Sequence, residues 1–404
     1  MYLRCNNSSC HATFDLHDQN MSCSRCGDLL EVVIAGNLPD PTDLKSTWLQ
    51  RRTSFAPRDV SGVWRFREFL PDCYHDVVTL GEGNTSLVQG KRTAEWAGVG
   101  DLRFKHLGWN PTGCFKDLGM TVGISEAKFV GARAVGCAST GNTAASLAAY
   151  AARAGLAAKV YLPAGKVSSN KLAQSIDFGA EVVQIEGNFD AALETLLRSH
   201  SDLYFLNSIN PFRVEGQKTA MFELLEQLAW HVPDYVFVPG GNLGNSSAFG
   251  KAFEEMKSAG LIHTIPRLVV VQAEGANPFA RMWRSRALEL NPETHPETAA
   301  TAIRIGNPRS WRKALRAVQQ TGGMVLDVTD EEIAEAKSEI GRDGIGCEPA
   351  SAATLAAVRK LILDGTLDSQ ATVVAVLTGH ALKDTEFIAK SQHSLVAEMA
   401  EVSA

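Results

Sequence analysis

From about residue 130 onward, short β-branched runs alternate with longer amphipathic stretches, and this alternation limits the chain to a narrow set of folds. The runs are 134–138 (AVGCA), 158–162, 181–186 (EVVQIE), 203–207, 235–239 (YVFVP), 267–273 (RLVVVQA) and 372–377 (TVVAVL). Most are apolar throughout, with no polar residue at every second position. That is the pattern of parallel strands covered on both faces. Between them, Ala248, Ala252 and Met256 share a helical face with Phe249 and Phe253, and Thr329 with Glu332 forms a capping box that starts another helix. Strands alternating with helices imply an α/β fold with right-handed crossovers. Ligands in such folds lie at the carboxyl ends of the strands, so the strand-end loops hold the candidate chemistry.

Three of those loops are unusual. Pro239-Gly240-Gly241-Asn242-Leu243-Gly244-Asn245 joins a buried run to an amphipathic stretch. Its glycines let backbone amides approach an anion at a helix N-terminus, which suits a phosphate; a tight ligand-free turn is the other reading. It lacks the P-loop lysine and the acidic residue of a dinucleotide site. Ser139-Thr140-Gly141-Asn142-Thr143 precedes an Ala-rich stretch. One helix cap needs one such side chain, so four polar residues in a row point past simple capping to a carboxylate or phosphate. In Asn110-Pro111-Thr112-Gly113-Cys114-Phe115-Lys116-Asp117, Lys116 is either a solvated charge or a partly buried amine able to form a Schiff base. Cys114 reads as a packing residue, with no His near it in sequence. Two anion loops and such a lysine together suggest pyridoxal phosphate, which brings a phosphate, an aldehyde and an electron-sink ring.

The N-terminal segment carries a separate signal. Cys5, Cys10, Cys23 and Cys26 crowd into the first 26 residues as C-x4-C and C-x2-C, while the other four cysteines, scattered at 73, 114, 137 and 347, look reduced. Two such pairs can present four thiolates to a structural Zn²⁺. His11 or His17 could replace one cysteine, and a lost metal site remains a third reading. Residues 40–75 are basic, with Arg51, Arg52, Arg58, Arg65 and Arg67 set among Trp48, Phe55, Trp64 and Phe66. These aromatics are expected to pack in a lead-in wrapped around the body. The 45 acidic and 39 basic side chains give a net charge of −6, which argues against a nucleic-acid partner. The N-terminus does not read as a signal peptide and no bilayer-length apolar stretch is seen, so a cytoplasmic location is expected.

These motifs resemble the threonine synthase family, fold type II pyridoxal-phosphate enzymes, over about residues 60–390. NPTGCFKDLGM is similar to that family's Schiff-base segment, GCASTGNT to its substrate loop and VPGGNLGN to its phosphate loop. NSINPFRVEGQKT, AIRIGNP and LTGHALKD are also close to family motifs. The resemblance implies a tryptophan-synthase-β-like architecture of two open, twisted, mostly parallel α/β lobes with a zinc-ribbon-like flap. The expected divisions are a flap at 1–40, a lead-in and first part of the large lobe at 41–115, a small lobe at 116–210 and the rest of the large lobe at 211–404. It further implies a homodimer that makes threonine from O-phosphohomoserine and water.

In that reading Lys116 carries the cofactor and Asn142 meets its ring hydroxyl. Gly241, Asn242, Leu243, Gly244 and Asn245 hold its phosphate, and Thr378 faces the ring nitrogen. Ser139, Thr140, Thr143, Asn207, Ser208 and Arg213 bind the substrate's carboxylate and phosphate, with Asn84, Thr85, Lys166 and Arg304 as further pocket candidates. The family often has Ser where Cys114 stands, and an acidic residue commonly follows Lys105 where this chain has His106, Leu107 and Trp109. These departures resemble a plant-like branch, whose S-adenosylmethionine effector is not carried over because its site residues cannot be matched. Cysteate synthase, a relative acting on O-phosphoserine and sulfite, differs by one methylene of substrate, and a pocket discriminates that by only ~1–3 kcal/mol. A non-catalytic phospho-amino-acid-binding homologue is the alternative outside enzymes, opposed by the retention of Lys116 and both loops.

Overall fold

The computed structural model describes residues 1–71, 73–139, 141–163, 169–186 and 203–389. Its strands are β1 (Tyr2–Cys5), β2 (Thr13–Phe14), β3 (Leu30–Val33), β4 (Leu87–Gln89), β5 (Asp101–His106), β6 (Ala134–Ala138), β7 (Ala157–Pro163), β8 (Glu181–Ile185), β9 (Leu203–Phe205), β10 (Tyr235–Pro239), β11 (Arg267–Ala273), β12 (Met324–Val328) and β13 (Thr372–Leu377). They form three sheets, ordered β2-β1-β3, β12-β11-β10-β13-β5-β4 and β8-β7-β6-β9. The four-stranded sheet is parallel throughout. In the six-stranded sheet only the β4–β5 edge pair is antiparallel.

All seven expected strands form, and the reason their apolar residues do not alternate is visible in β10. Val236 and Val238 enter one hydrophobic core while Tyr235 and Phe237 enter the other, on the opposite face. Six further strands were not expected. β5 (DLRFKH) looks too charged for an interior position, yet Lys105 is fully buried there. β4 and β12 are short edge strands, and β1–β3 belong to the flap.

Helix ends follow the local chemistry. Thr329 and Glu332 complete the expected capping box on the Asp330–Arg342 helix. Gly155 ends the Asn142–Ala154 helix in the left-handed conformation at φ 71°, a role glycine fills without a Cβ penalty.

The flap touches both halves of the body. On the large lobe, the Lys251 Nζ donates to the Val32 carbonyl at 2.6 Å and Arg316 pairs with Glu31 at 2.6 Å. Toward the small sheet, His17 Nδ1 lies 3.0 Å from Glu126 Oε1, and the Tyr74 hydroxyl donates to the same carboxylate at 2.8 Å. In the lead-in, Trp48, Trp64 and Phe66 are fully buried, and Arg65 meets Glu226 through two 2.7 Å bonds. Phe55 departs from expectation: it is 95% exposed, in the turn between the helices Pro41–Arg52 and Pro57–Val60.

The helix Lys116–Phe129 packs on the helix Pro211–Gln227 on one side and on Asn142–Ala154 on the other. The first contact is close because Gly216 has no side chain: a Cβ there would fall 1.8 Å from the Leu118 carbonyl oxygen. Gly216→Ala should therefore lower the unfolding free energy by ~1–3 kcal/mol of overpacking or more, read as a lower urea midpoint at unchanged m-value. An unchanged midpoint would show that the two helices can part at no cost.

Candidate active site

Four chain segments converge at the carboxyl ends of β5, β6, β10 and β13. Cys114 forms an isolated antiparallel bridge with Gly379, and the Phe115 N–H donates to the Thr378 carbonyl at 2.9 Å. The lysine turn is thus fastened to the loop after β13. The Cys114 thiol lies 3.8 Å from the Asn142 carbonyl oxygen, tying the same turn to the loop after β6. Asp117, fully buried, accepts from the Thr112 N–H and hydroxyl and from Ser146 on the Asn142–Ala154 helix, at 2.6–2.7 Å. Burial pushes its carboxyl up to about 6, against those three donors.

Lys116 opens its helix, partly exposed, with its amine 4.0 Å from the Phe115 ring centroid. Burial, reinforced by the Arg213 guanidinium, draws the amine down to about 8. Arg213 is 1% exposed, packed against Gly123; it donates one bond to the Leu206 carbonyl at 3.2 Å, and among the described residues its Nε has no partner. Burial lowers it to about 10, and the groups that oppose this are thiols, Cys137 and Cys114, not carboxylates. A desolvated cation without an acid of its own demands an anion.

The loop after β10 places Leu243 in the left-handed region at φ 62°, and the helix Gly244–Ser258 begins with no side-chain cap. Asn242 donates to the Ser208 hydroxyl at 2.7 Å and accepts from the Arg309 N–H at 2.6 Å, so this loop is braced from two sides. Asn245 donates to the Pro239 carbonyl at 2.8 Å. Ser246, fully buried in the same first turn, has a hydroxyl with no partner. The loop after β6 is likewise uncapped by any side chain at Asn142–Ala154; Ser139 accepts instead from the Gly141 N–H at 3.3 Å. These two helix starts leave first-turn amides for an anion.

Other expected residues are committed to the protein itself. The Asn207 amide exchanges two 3.0 Å bonds with the backbone of Ala138. Asn84 donates to the Val60 carbonyl, and its N–H and the Thr85 hydroxyl meet Glu223, which pairs with the buried Lys105. Arg304 pairs with Glu297 at 3.4 Å. Thr143 is half-buried at its helix start; Thr140 and Lys166 lie outside the described residues.

Sequence reasoning missed Glu348. It is 4% exposed, its Oε2 accepts from Asn142 at 3.0 Å, and its Oε1 lies 3.2 Å from the Thr378 hydroxyl. The available signal was an acidic residue directly before Pro349, the first residue of a helix.

In the flap, the sulfurs of Cys5, Cys10, Cys23 and Cys26 lie within 4.8 Å of one another, with Cys5–Cys26 at 3.4 Å and Cys10–Cys23 at 3.7 Å. Those separations fit a tetrahedral site with Zn–S bonds of about 2.3 Å. His17 is engaged elsewhere, with Glu126.

An enclosed amine of lowered basicity, two uncapped helix starts and an acid-free buried guanidinium fit a phosphorylated aldehyde cofactor and an anionic substrate. The chain belongs to the pyridoxal-phosphate-dependent enzyme family, whose model matches residues 78–379. Within it, the chain is similar to threonine synthases. It is 46% identical to that of Methanocaldococcus jannaschii, over 93% of this chain and 92% of that protein, and 44% identical to that of Methanosarcina acetivorans, over 96% and 93%. The fold is shared with solved relatives of low identity. A tomato threonine deaminase superposes with a TM-score of 0.66 at 18% identity, covering 89% of this chain and 97% of that one. A maize serine racemase gives 0.65 at 19%, covering 79% and 94%.

The lowered basicity of Lys116 has a measurable sign. Only the neutral amine attacks an aldehyde, and its fraction grows as pH rises. Loading of pyridoxal phosphate onto cofactor-free protein should climb through pH 8 and level off above it. A rate still rising steeply toward the ordinary lysine value of 10.5 would contradict the burial argument.

Proposed function

We infer that the protein is a threonine synthase, a pyridoxal-phosphate-dependent lyase that converts O-phospho-L-homoserine and water to L-threonine and phosphate. The observation that carries the reading is the Lys116 amine of lowered basicity and the buried Arg213 guanidinium, beside two uncapped helix starts in one cleft. The 44–46% identity to threonine synthases along nearly the whole chain supports it.

In this reading Lys116 would hold the cofactor covalently, and Asn142 and Thr378 would meet its ring. The backbone from Gly241 to Asn245 would bind its phosphate, with the Asn242 bonds to Ser208 and Arg309 keeping that loop in shape. When bound, the cofactor supplies an electron sink that acidifies the substrate's Cα and Cβ hydrogens. The Lys116 amine, drawn toward neutral pH, suits a base that takes the Cα proton and returns it. Ser139, Thr140, Thr143, Asn207, Ser208 and Arg213 remain the proposed contacts to substrate carboxylate and phosphate. Asn207 would do so while its amide is clamped to Ala138, and Arg213 with its uncommitted Nε. Phosphate would leave from Cγ, which takes up a proton to become the methyl group, while Cβ gives up a proton and takes the hydroxyl of water.

The four flap cysteines would hold a structural Zn²⁺. The active form is read as a cytoplasmic homodimer; the exposed apolar side chains of Leu49, Phe55 and Val60 support the dimer, and a monomer mass by sedimentation would remove it.

Purified protein given O-phosphohomoserine should release phosphate and threonine in equal amounts, and Lys116→Ala should form none. Turnover of O-phosphoserine with sulfite in its place, by cofactor-loaded protein, would transfer the assignment to that chemistry. Metal analysis tests the flap: zinc should be near one per chain in the wild type and lost in Cys23→Ser. Equal, negligible zinc in both would remove the metal.

A further inference from the structure

Glu348, Thr378 and Ser351 form a closed chain of hydrogen bonds whose polarity can be counted. The Ser351 hydroxyl oxygen accepts from the N–H groups of Thr378 at 2.8 Å and Gly379 at 3.1 Å. Its own proton therefore goes to the Thr378 hydroxyl, 3.0 Å away. The second neighbour of the Thr378 hydroxyl is Glu348 Oε1 at 3.2 Å, while Glu348 Oε2 accepts from the Asn142 amide. Were Glu348 ionised, it would take the Thr378 proton, and Thr378 would offer a ligand only a lone pair. Were it a neutral acid, its Oε1 proton would go to Thr378. The threonine oxygen would then accept two bonds and keep its own O–H uncommitted.

We propose that Glu348 is a positioning residue held as a neutral carboxylic acid, so that Thr378 presents a hydrogen-bond donor to the cofactor's ring nitrogen and keeps that nitrogen unprotonated. The inference rests on the cofactor placement given above and goes beyond it by naming the group that decides what Thr378 offers. The bonds that link the four side chains are then assigned: acid O–H to Thr378, Asn142 N–H to Glu348, Ser351 O–H to Thr378, with one threonine donor left over.

The surroundings favour the neutral form. Glu348 is 4% exposed, its N–H bonds the Gly379 carbonyl at 3.0 Å, and a Cβ at Gly379 would lie 2.4 Å from its carboxyl carbon, so the backbone encloses it. The titratable groups facing it are Lys116, Lys383 and Cys347, and among the described residues none is hydrogen-bonded to it. Burial raises the acid above its ordinary range, outweighing its bonds to Asn142 and Thr378 and the two lysine charges.

The test uses holoenzyme carrying pyridine-¹⁵N-labelled pyridoxal phosphate at neutral pH. The infrared difference between wild type and Glu348→Gln should show loss of a protonated-carboxyl C=O band. The ¹⁵N resonance should report an unprotonated, hydrogen-bonded ring nitrogen in wild type, a reading that needs no variant. Glutamine keeps the neutral pattern, since its Nε2 can donate to Thr378 and its Oε1 can accept from Asn142. Glu348→Gln should therefore retain that resonance and a kcat within about threefold, whereas Glu348→Ala should shift the resonance and lose about tenfold or more. Loss of carboxylate bands in the glutamine variant, or a protonated ring nitrogen in wild type, overturns the proposal while leaving the cofactor reading intact. Failure of wild type to take up the cofactor at all is the separate outcome that sinks the reading beneath it.

Discussion

The close approach of the helices Lys116–Phe129 and Pro211–Gln227 is the constraint on which the site depends. Gly119 and Gly216 let the two backbones meet: a Cβ at Gly119 would stand 2.7 Å from the Arg213 carbonyl, and one at Gly216 would strike Leu118. The helix packing puts the half-buried Lys116 amine in the field of the Arg213 guanidinium, which is taken out of water. Two like charges brought together in a low-dielectric place lower each other's basicity. The reactive amine is therefore a consequence of helix packing before it is a property of the loop that carries it.

Elsewhere the molecule neutralises its buried charges carefully, which gives the exception its meaning. Lys105 is matched by Glu223, Arg65 by Glu226, and Lys218 and Lys251 share Glu215 and Glu255. Among the described residues Arg213 has no carboxylate partner; it bonds the Leu206 carbonyl oxygen, with the thiols of Cys137 and Cys114 in its surroundings. Leaving one partner of a buried pair unmade is strongly destabilising in general, so Arg213, beside the reactive lysine, places a demand for an anion in the cleft. The net charge of −6 describes the whole chain and is silent on this local reversal.

Much of the fold was legible because parallel strands covered on both faces write their burial into every residue, as β10 does with Val236 and Val238 on one side and Tyr235 and Phe237 on the other. The strand-end loops were legible for a related reason: glycines and hydroxyls accumulate where backbone must meet a ligand. What escaped was ionic. β5 hides because Lys105 is a charge in sequence but half of an ion pair in space, and its partner Glu223 is 118 residues away. Glu348 escaped in the same way, since an acid before a helix-starting proline reads as a surface residue until the loop after β13 closes over it. Phe55 erred in the other direction: a large aromatic among packing residues that turns outward at a bend. Periodicity reports burial averaged along an element and says nothing of a single side chain at its end.

The flap extends the same logic across the molecule. Glu31 is ringed by Lys313, Arg316 and Lys251, which hold its carboxyl down at about 2 in spite of its burial. That fixes β3 to the large lobe. At its other end the flap reaches Glu126 through His17, in the last turn of the helix whose first residue is Lys116. A three-stranded sheet this small buries too little apolar surface to hold its own shape. Its rigidity must come from elsewhere, and four sulfurs drawn within 4.8 Å of one another are the feature able to supply it. The flap thus joins a cysteine cluster, a large-lobe anchor and the far end of the lysine-bearing helix in one short stretch of chain. The tie between the cluster and that helix is the His17–Glu126 contact, far along the helix from the lysine itself.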